Sequence, residues 1–148
     1  MNTVADSSSG PGARTGACLC GAVRYRVTGP LRAVVACHCT QCRRTTGHFM
    51  AATAAWRRDF ELVSQAELRW YPSSPEARRG FCARCGSTLF WEGTGRDYIS
   101  IAAGTLDGAT GLTTARHIFV ADKGDYYELR DGVPQSSGGS FSVEIPGR

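Results

Sequence analysis

The sequence predicts an all-β fold, a single antiparallel β domain with very little helix. Three observations predict it. Eight short runs of β-forming residues follow one another at close spacing, glycine (18) and proline (6) punctuate most of the gaps, and helical periodicity is weak along the whole chain. A length of 148 residues suits one domain built on one core.

Residues 1–13 are rich in Ser, Gly and Pro, carry Asp6 as their only charge, and are expected to form a flexible leader. The first strand is expected over residues 22–27, where Val23, Tyr25 and Val27 alternate with Arg24 and Arg26. Period two places the apolar set on one face and the arginines on the other. The same logic marks residues 33–36, 50–54, 60–63, 68–71, 88–91, 98–102 and 117–120. A short helix is expected to begin near Thr40, and a single turn near residues 121–125. The Ser/Gly-rich stretch 136–140 is expected to open a loosely held tail over residues 136–148, leaving 14–135 as the domain.

Seven cysteines fall into three groups: Cys18-Leu19-Cys20, Cys37-His38-Cys39-Thr40-Gln41-Cys42 and Cys82-Ala83-Arg84-Cys85. The count is odd and the N-terminus shows no basic segment leading into an apolar one. Disulfides are therefore disfavoured, and a metal role in the reducing cytoplasm is the expectation. Zinc takes four ligands in a tetrahedron, which two close-spaced pairs supply with little strain. Cys82-x-x-Cys85-Gly86 has the form of a zinc knuckle, and Cys18 with Cys20 is its natural partner pair; such a site is closed and structural. Three thiols then remain on the middle loop, Cys37, Cys39 and Cys42, and three protein ligands leave a fourth position for water or substrate. A centre of three thiolates calls for nearby cations, and Arg43 and Arg44 follow Cys42 directly. Two alternatives stand beside this scheme: Cys82-x-x-Cys85 as a redox dithiol, and His38 or His48 closing the second centre. Wedged between two ligands, His38 is expected to point away. His48, following Gly47, is the better placed neighbour.

The formal charge of +4 drops to about +1 if seven thiols ionise around two Zn²⁺ ions, so the apparent basicity largely disappears. What remains local are three arginine pairs, 43 with 44, 57 with 58 and 78 with 79, each able to attract an anion but each ordinarily solvated surface. No long basic tail or aromatic-basic stripe marks a nucleic-acid binder. Trp56, Trp70 and Trp91 lie in separate strand-like runs and read as core. No apolar run approaches the span of a bilayer.

At these residues the chain resembles the family of glutathione-dependent formaldehyde-activating enzymes, which shares its domain with centromere protein V. The resemblance is carried by Cys18-Leu19-Cys20-Gly21-Ala22-Val23-Arg24-Tyr25, by Cys37-His38-Cys39-Thr40-Gln41-Cys42-Arg43-Arg44-Thr45-Thr46-Gly47 and by Arg79-Gly80-Phe81-Cys82-Ala83-Arg84-Cys85-Gly86-Ser87. Gly104-Thr105-Leu106-Asp107 and His117-Ile118 support it. It implies a twisted, tent-like (Mss4-like) β arrangement holding two Zn²⁺ per chain: a structural ion on Cys18, Cys20, Cys82 and Cys85, and a catalytic one on Cys37, Cys39 and Cys42. It also implies carbon-sulfur lyase activity on S-hydroxymethylglutathione, the adduct of glutathione and formaldehyde, with a small-molecule thiol and an aldehyde as partners. Within that expectation His48 is the first candidate to move the hydroxyl proton, ahead of Asp107 and His117, and Arg43 and Arg44 are candidates to hold glutathione carboxylates. Of these, His117 precedes three apolar residues and reads more readily as a satisfied core histidine, and Asp107 before Gly108 reads as a turn. The rival from another class is a zinc-stabilised binding module for a protein or nucleic-acid partner, with no catalytic activity.

Overall fold

The computed structural model describes residues 12–140 and 142–147; residues 1–11 of the expected leader lie outside the described residues. Ten strands and one helix follow in order: β1 (Arg14–Ala17), β2 (Arg24–Val27), β3 (Val34–Cys37), α1 (Thr40–Thr46), β4 (Met50–Trp56), β5 (Phe60–Ser64), β6 (Leu68–Ser74), β7 (Ala77–Cys82), β8 (Thr88–Gly93), β9 (Tyr98–Ala102) and β10 (Thr114–Ile118). They form a three-stranded sheet, β1-β2-β5, and a seven-stranded sheet, β10-β3-β4-β9-β8-β7-β6. The all-β fold with minimal helix is as the sequence predicts. One ladder departs from the antiparallel expectation: β10 lies parallel to β3. Parallel neighbours need a long crossover, and everything between Cys37 and Thr114 serves as one.

Every expected strand is present, with one shifted. The run at residues 117–120 is the end of β10, because Phe119 turns into the left-handed region (φ 53°) and a 3₁₀ turn, Val120–Asp122, follows. Strands β1 and β7 are additions. The sequence RTGA of β1 carries no large apolar residue, and ARRGFC of β7 sets two arginines and a glycine where alternation would be read.

The two sheets enclose one core. From the smaller come Tyr25 and Val27, with Phe60 and Leu62 packed alongside; from the larger come Ala55, Phe90, Ile99 and Ile101. The Tyr25 ring stacks on Phe60 at 5.7 Å and meets Phe90 edge-on at 5.3 Å, while its hydroxyl sits 2.7 Å from Thr105 Oγ1. Burying such a side chain contributes about 1.5–3 kcal/mol. Gly16 on β1 makes room for it, since a Cβ there would lie 2.2 Å from Tyr25 Cζ and 2.7 Å from the Thr105 carbonyl. Neither neighbour can retreat, one being a fully buried ring and the other backbone. Gly16→Ala should therefore destabilise by about 1–3 kcal/mol, the usual cost of overpacking. An unchanged urea midpoint would contradict this packing.

Successive residues alternate across a strand, so the residues between the core positions face the other way. Val35 and Cys37 of β3, Met50 and Ala52 of β4, and Tyr98 and Ser100 of β9 line a cleft on that opposite face. The segment expected as a loose tail closes one end of this face. Ile145 is buried against Ala54 and Trp56, and Ser136 and Gly138 exchange backbone hydrogen bonds with His117, Phe119 and Val120.

The same alternation divides Arg78 from Arg79 on β7. Arg57 and Arg78 converge on buried Glu92, Arg78 lies over the Trp70 ring at 4.2 Å, and Arg58 lies over Trp56 at 5.6 Å. Arg79 turns to the cleft.

Candidate metal centres

Among the described residues, metal-ligating side chains gather in two groups: Cys18, Cys20, Cys82 and Cys85, and Cys37, Cys39 and Cys42. Within each group the sulfurs all lie within 4.8 Å of one another.

The four-sulfur group is built from two turns. After β1 the chain folds back at Gly21 (φ 81°), with Gly21 N–H donating to the Cys18 carbonyl and Val23 N–H donating to Cys18 Sγ at 3.2 Å. After β7 the knuckle closes at Gly86 (φ 79°), whose N–H donates to the Cys82 carbonyl at 2.8 Å. Both glycines occupy a region that a Cβ disfavours. Ser87 ties the turns together: its hydroxyl accepts from Leu19 N–H at 2.9 Å and lies 3.2 Å from Cys85 Sγ. That hydroxyl, ahead of the neighbouring amides, holds the Cys85 thiol below its ordinary value. The Cys18–Cys20 and Cys20–Cys82 sulfur separations are 3.6 and 3.8 Å. Sulfurs at ~2.3 Å from a tetrahedral zinc stand about 3.8 Å apart, and a disulfide needs about 2.05 Å. The donor set and its spacing fit zinc.

The three-sulfur group surrounds the start of α1. Cys37 ends β3, Cys39 is the N-cap whose sulfur accepts from Cys42 N–H at 3.3 Å, and Cys42 lies in the first turn. The crowding of the three sulfurs holds the Cys39 thiol well below the ordinary thiol range, through its contacts with Cys37 and Cys42, and pushes Cys37 far above it, through its contacts with Cys39 and Cys42. Three soft donors of this kind also suit zinc, and here no fourth cysteine joins them among the described residues. All three line the cleft, whose volume is about 680 Å³, with Arg32, Arg79, Trp91, Arg96 and Tyr98 forming much of the remaining wall.

His38, between two of these cysteines, points away as the spacing predicts. It is fully buried, with Nε2 2.9 Å from His117 Nδ1 and Nδ1 against the Tyr127 hydroxyl. His117 in turn faces Asp131 Oδ2 at 2.8 Å, so it is a satisfied core histidine. Burial, ahead of the charges of His117 and His48, holds the His38 pKa down at about 4 and keeps the ring neutral near pH 7.

Three groups of candidate residues lie outside the cleft lining. His48 does not line the cleft; it is exposed, with Nδ1 2.9 Å from the Tyr126 hydroxyl and its ring against Phe49 and Tyr127. Cys39 caps the start of α1 and His48 follows its C-cap, Gly47. Arg43 and Arg44, which follow Cys42 on α1, are not among the residues lining the cleft. Asp107 accepts from Thr15 Oγ1 at 2.7 Å and fastens β1 instead of reaching the cleft. Arg32, Arg96 and Tyr98 have no counterpart among the sequence candidates, Arg79 was read only as one of an arginine pair able to attract an anion, and Trp91, read as core, forms cleft wall. The available signal was parity: residues 79 and 82 of one strand face opposite ways, so a knuckle cysteine directed to the core sends Arg79 to the other face.

A family model described as glutathione-dependent formaldehyde-activating enzyme matches residues 13–122. The chain belongs to this family. Its cysteine constellation and β fold are thus those of a glutathione-dependent formaldehyde-activating-type protein, and membership supports a lyase-like enzymatic function in general. An uncharacterized lyase of Schizosaccharomyces pombe is 32% identical over 117 residues, covering 77% of this chain and 83% of that protein. A Rhodobacter sphaeroides protein of known crystal structure is similar at 27% identity and a TM-score of 0.55, covering 66% of this chain and 91% of that one. No helix among the described residues of this family member is long and apolar enough to cross a membrane.

Proposed function

We propose that the protein is a zinc-dependent carbon-sulfur lyase for an aldehyde–thiol adduct such as S-hydroxymethylglutathione, and that it binds two Zn²⁺ per chain. The observation that carries this reading is the asymmetry of the two sulfur groups. One has four converging sulfurs between two turns; the other has three, and these face a cleft large enough for a small peptide thiol.

When bound by Cys37, Cys39 and Cys42, zinc supplies Lewis-acid stabilisation of a sulfur anion at neutral pH. In the lyase direction the hydroxyl proton leaves the adduct, its oxygen electrons form the aldehyde carbonyl, and the C–S pair departs on sulfur. The polypeptide's part is to seat the adduct and take that proton. The cleft offers the carboxylate of Asp122 to take it, with the hydroxyls of Tyr98 and Ser100 available to hydrogen-bond the adduct oxygen. Arg32 and Arg96, in place of Arg43 and Arg44, face a substrate carboxylate, which a planar guanidinium can pair through both oxygens. The apolar wall of Val35, Ala52 and Trp91 limits water around the reacting atoms.

The test combines a metal count with exchange spectroscopy. The purified chain should hold two zinc ions and accelerate interconversion of glutathione plus formaldehyde with their adduct, seen by magnetisation transfer. A chain that holds one zinc, or that neither binds a thiol nor speeds exchange, would leave the binding-module reading in its place.

A further inference from the structure

Three thiolates on a divalent ion leave a net charge of −1, and a substrate sulfur would bring it to −2. An interior tolerates such a charge only beside a compensating cation. The fold provides one that proximity in sequence does not suggest. Arg79 is 8% exposed. Its Nη1 and Nη2 donate to Cys42 Sγ at 3.7 and 3.6 Å, and Nη2 also donates to Gln41 Oε1 at 3.2 Å. Among the described residues no carboxylate pairs with Arg79, whereas its neighbour Arg78 takes Glu92. A buried guanidinium whose only ionisable partner is sulfur is costly beside a neutral thiol and favourable beside a thiolate.

We propose that Arg79 is the charge-compensating, positioning residue of the three-cysteine centre, its guanidinium holding the Cys42 sulfur and offsetting the negative charge so that the metal is retained there. This rests on reading Cys37, Cys39 and Cys42 as a zinc site. Strand β7 makes the placement rigid. Its opposite face sends Cys82 into the four-sulfur group, so the backbone that carries Arg79 is anchored three residues away.

The experiment is a competition titration of the zinc-loaded full chain with a colorimetric chelator, for the wild type and for Arg79→Gln, Arg79→Met and Arg79→Lys. In the neutral variants the zinc of the three-cysteine centre should be lost at roughly 10- to 100-fold less chelator, the usual effect of removing an outer-sphere partner. The four-sulfur zinc should leave at the wild-type concentration and serves as the internal control for folding. Arg79→Lys, which keeps the charge, should recover most of the loss. Equal loss in the lysine and glutamine variants, simultaneous release of both ions, or no change would each overturn the proposal. A wild-type chain holding a single zinc would overturn the underlying site reading as well; two ions in the wild type with an unchanged Arg79→Gln would overturn this inference alone.

Discussion

Cys85→Ser should yield a chain that no longer folds cooperatively. The four-sulfur group joins turns more than sixty positions apart, and two of its members, Cys18 and Cys82, are also members of the main core. Structural zinc contributes about 10–16 kcal/mol of binding free energy, comparable to or larger than the roughly 5–15 kcal/mol net stability of a domain. Losing one thiolate weakens that term and leaves the remaining sulfurs facing one another. The expected result is loss of near-ultraviolet circular dichroism and of a sharp calorimetric transition, and prolonged chelation of the wild type should converge on the same state. A melting temperature close to that of the wild type would show that the two turns are held by packing alone.

Cys39→Ser should separate the second centre from the fold. The position is the N-cap of α1, and a serine oxygen accepts from the Cys42 amide at least as well as sulfur does, so the helix start survives. What disappears is one of three thiolates. Zinc content should fall from two per chain to one while the urea midpoint stays near the wild type. Adduct exchange should drop by more than about 100-fold, given that outer-sphere changes alone cost roughly 10–100-fold. Retention of both ions, or exchange at the wild-type rate, would remove Cys39 from the proposed chemistry.

Much of the architecture was legible because it rests on local pattern. Alternation in the run from Val23 to Val27 marks β2, and the turn glycines Gly21 and Gly86 flank the two cysteine pairs that do converge. Strand β1 was invisible because its residues are small or polar and gain their place through pairing with β2 and a close approach of Gly16 to Tyr25. Strand β7 was invisible because its inward arginine reads as surface. The parallel contact of β10 with β3, between segments far apart in the chain, has no local signature at all.

The sequence alone determined the all-β class and, through the spacing of the cysteines and zinc's need for four ligands, the division of seven cysteines into a four-sulfur and a three-sulfur group. It also determined that His38 turns away from its flanking cysteines, because an extended strand alternates. Only the tertiary structure decided which charges and rings surround the open centre. Adjacency in the chain pointed to Arg43, Arg44 and His48, but none of the three is among the residues that line the cleft. Arg79, Trp91 and Tyr98 reach the cleft from three strands of the larger sheet, and Arg32 and Arg96 from the segment before β3 and the turn between β8 and β9, so their convergence appears only when the sheet assembles.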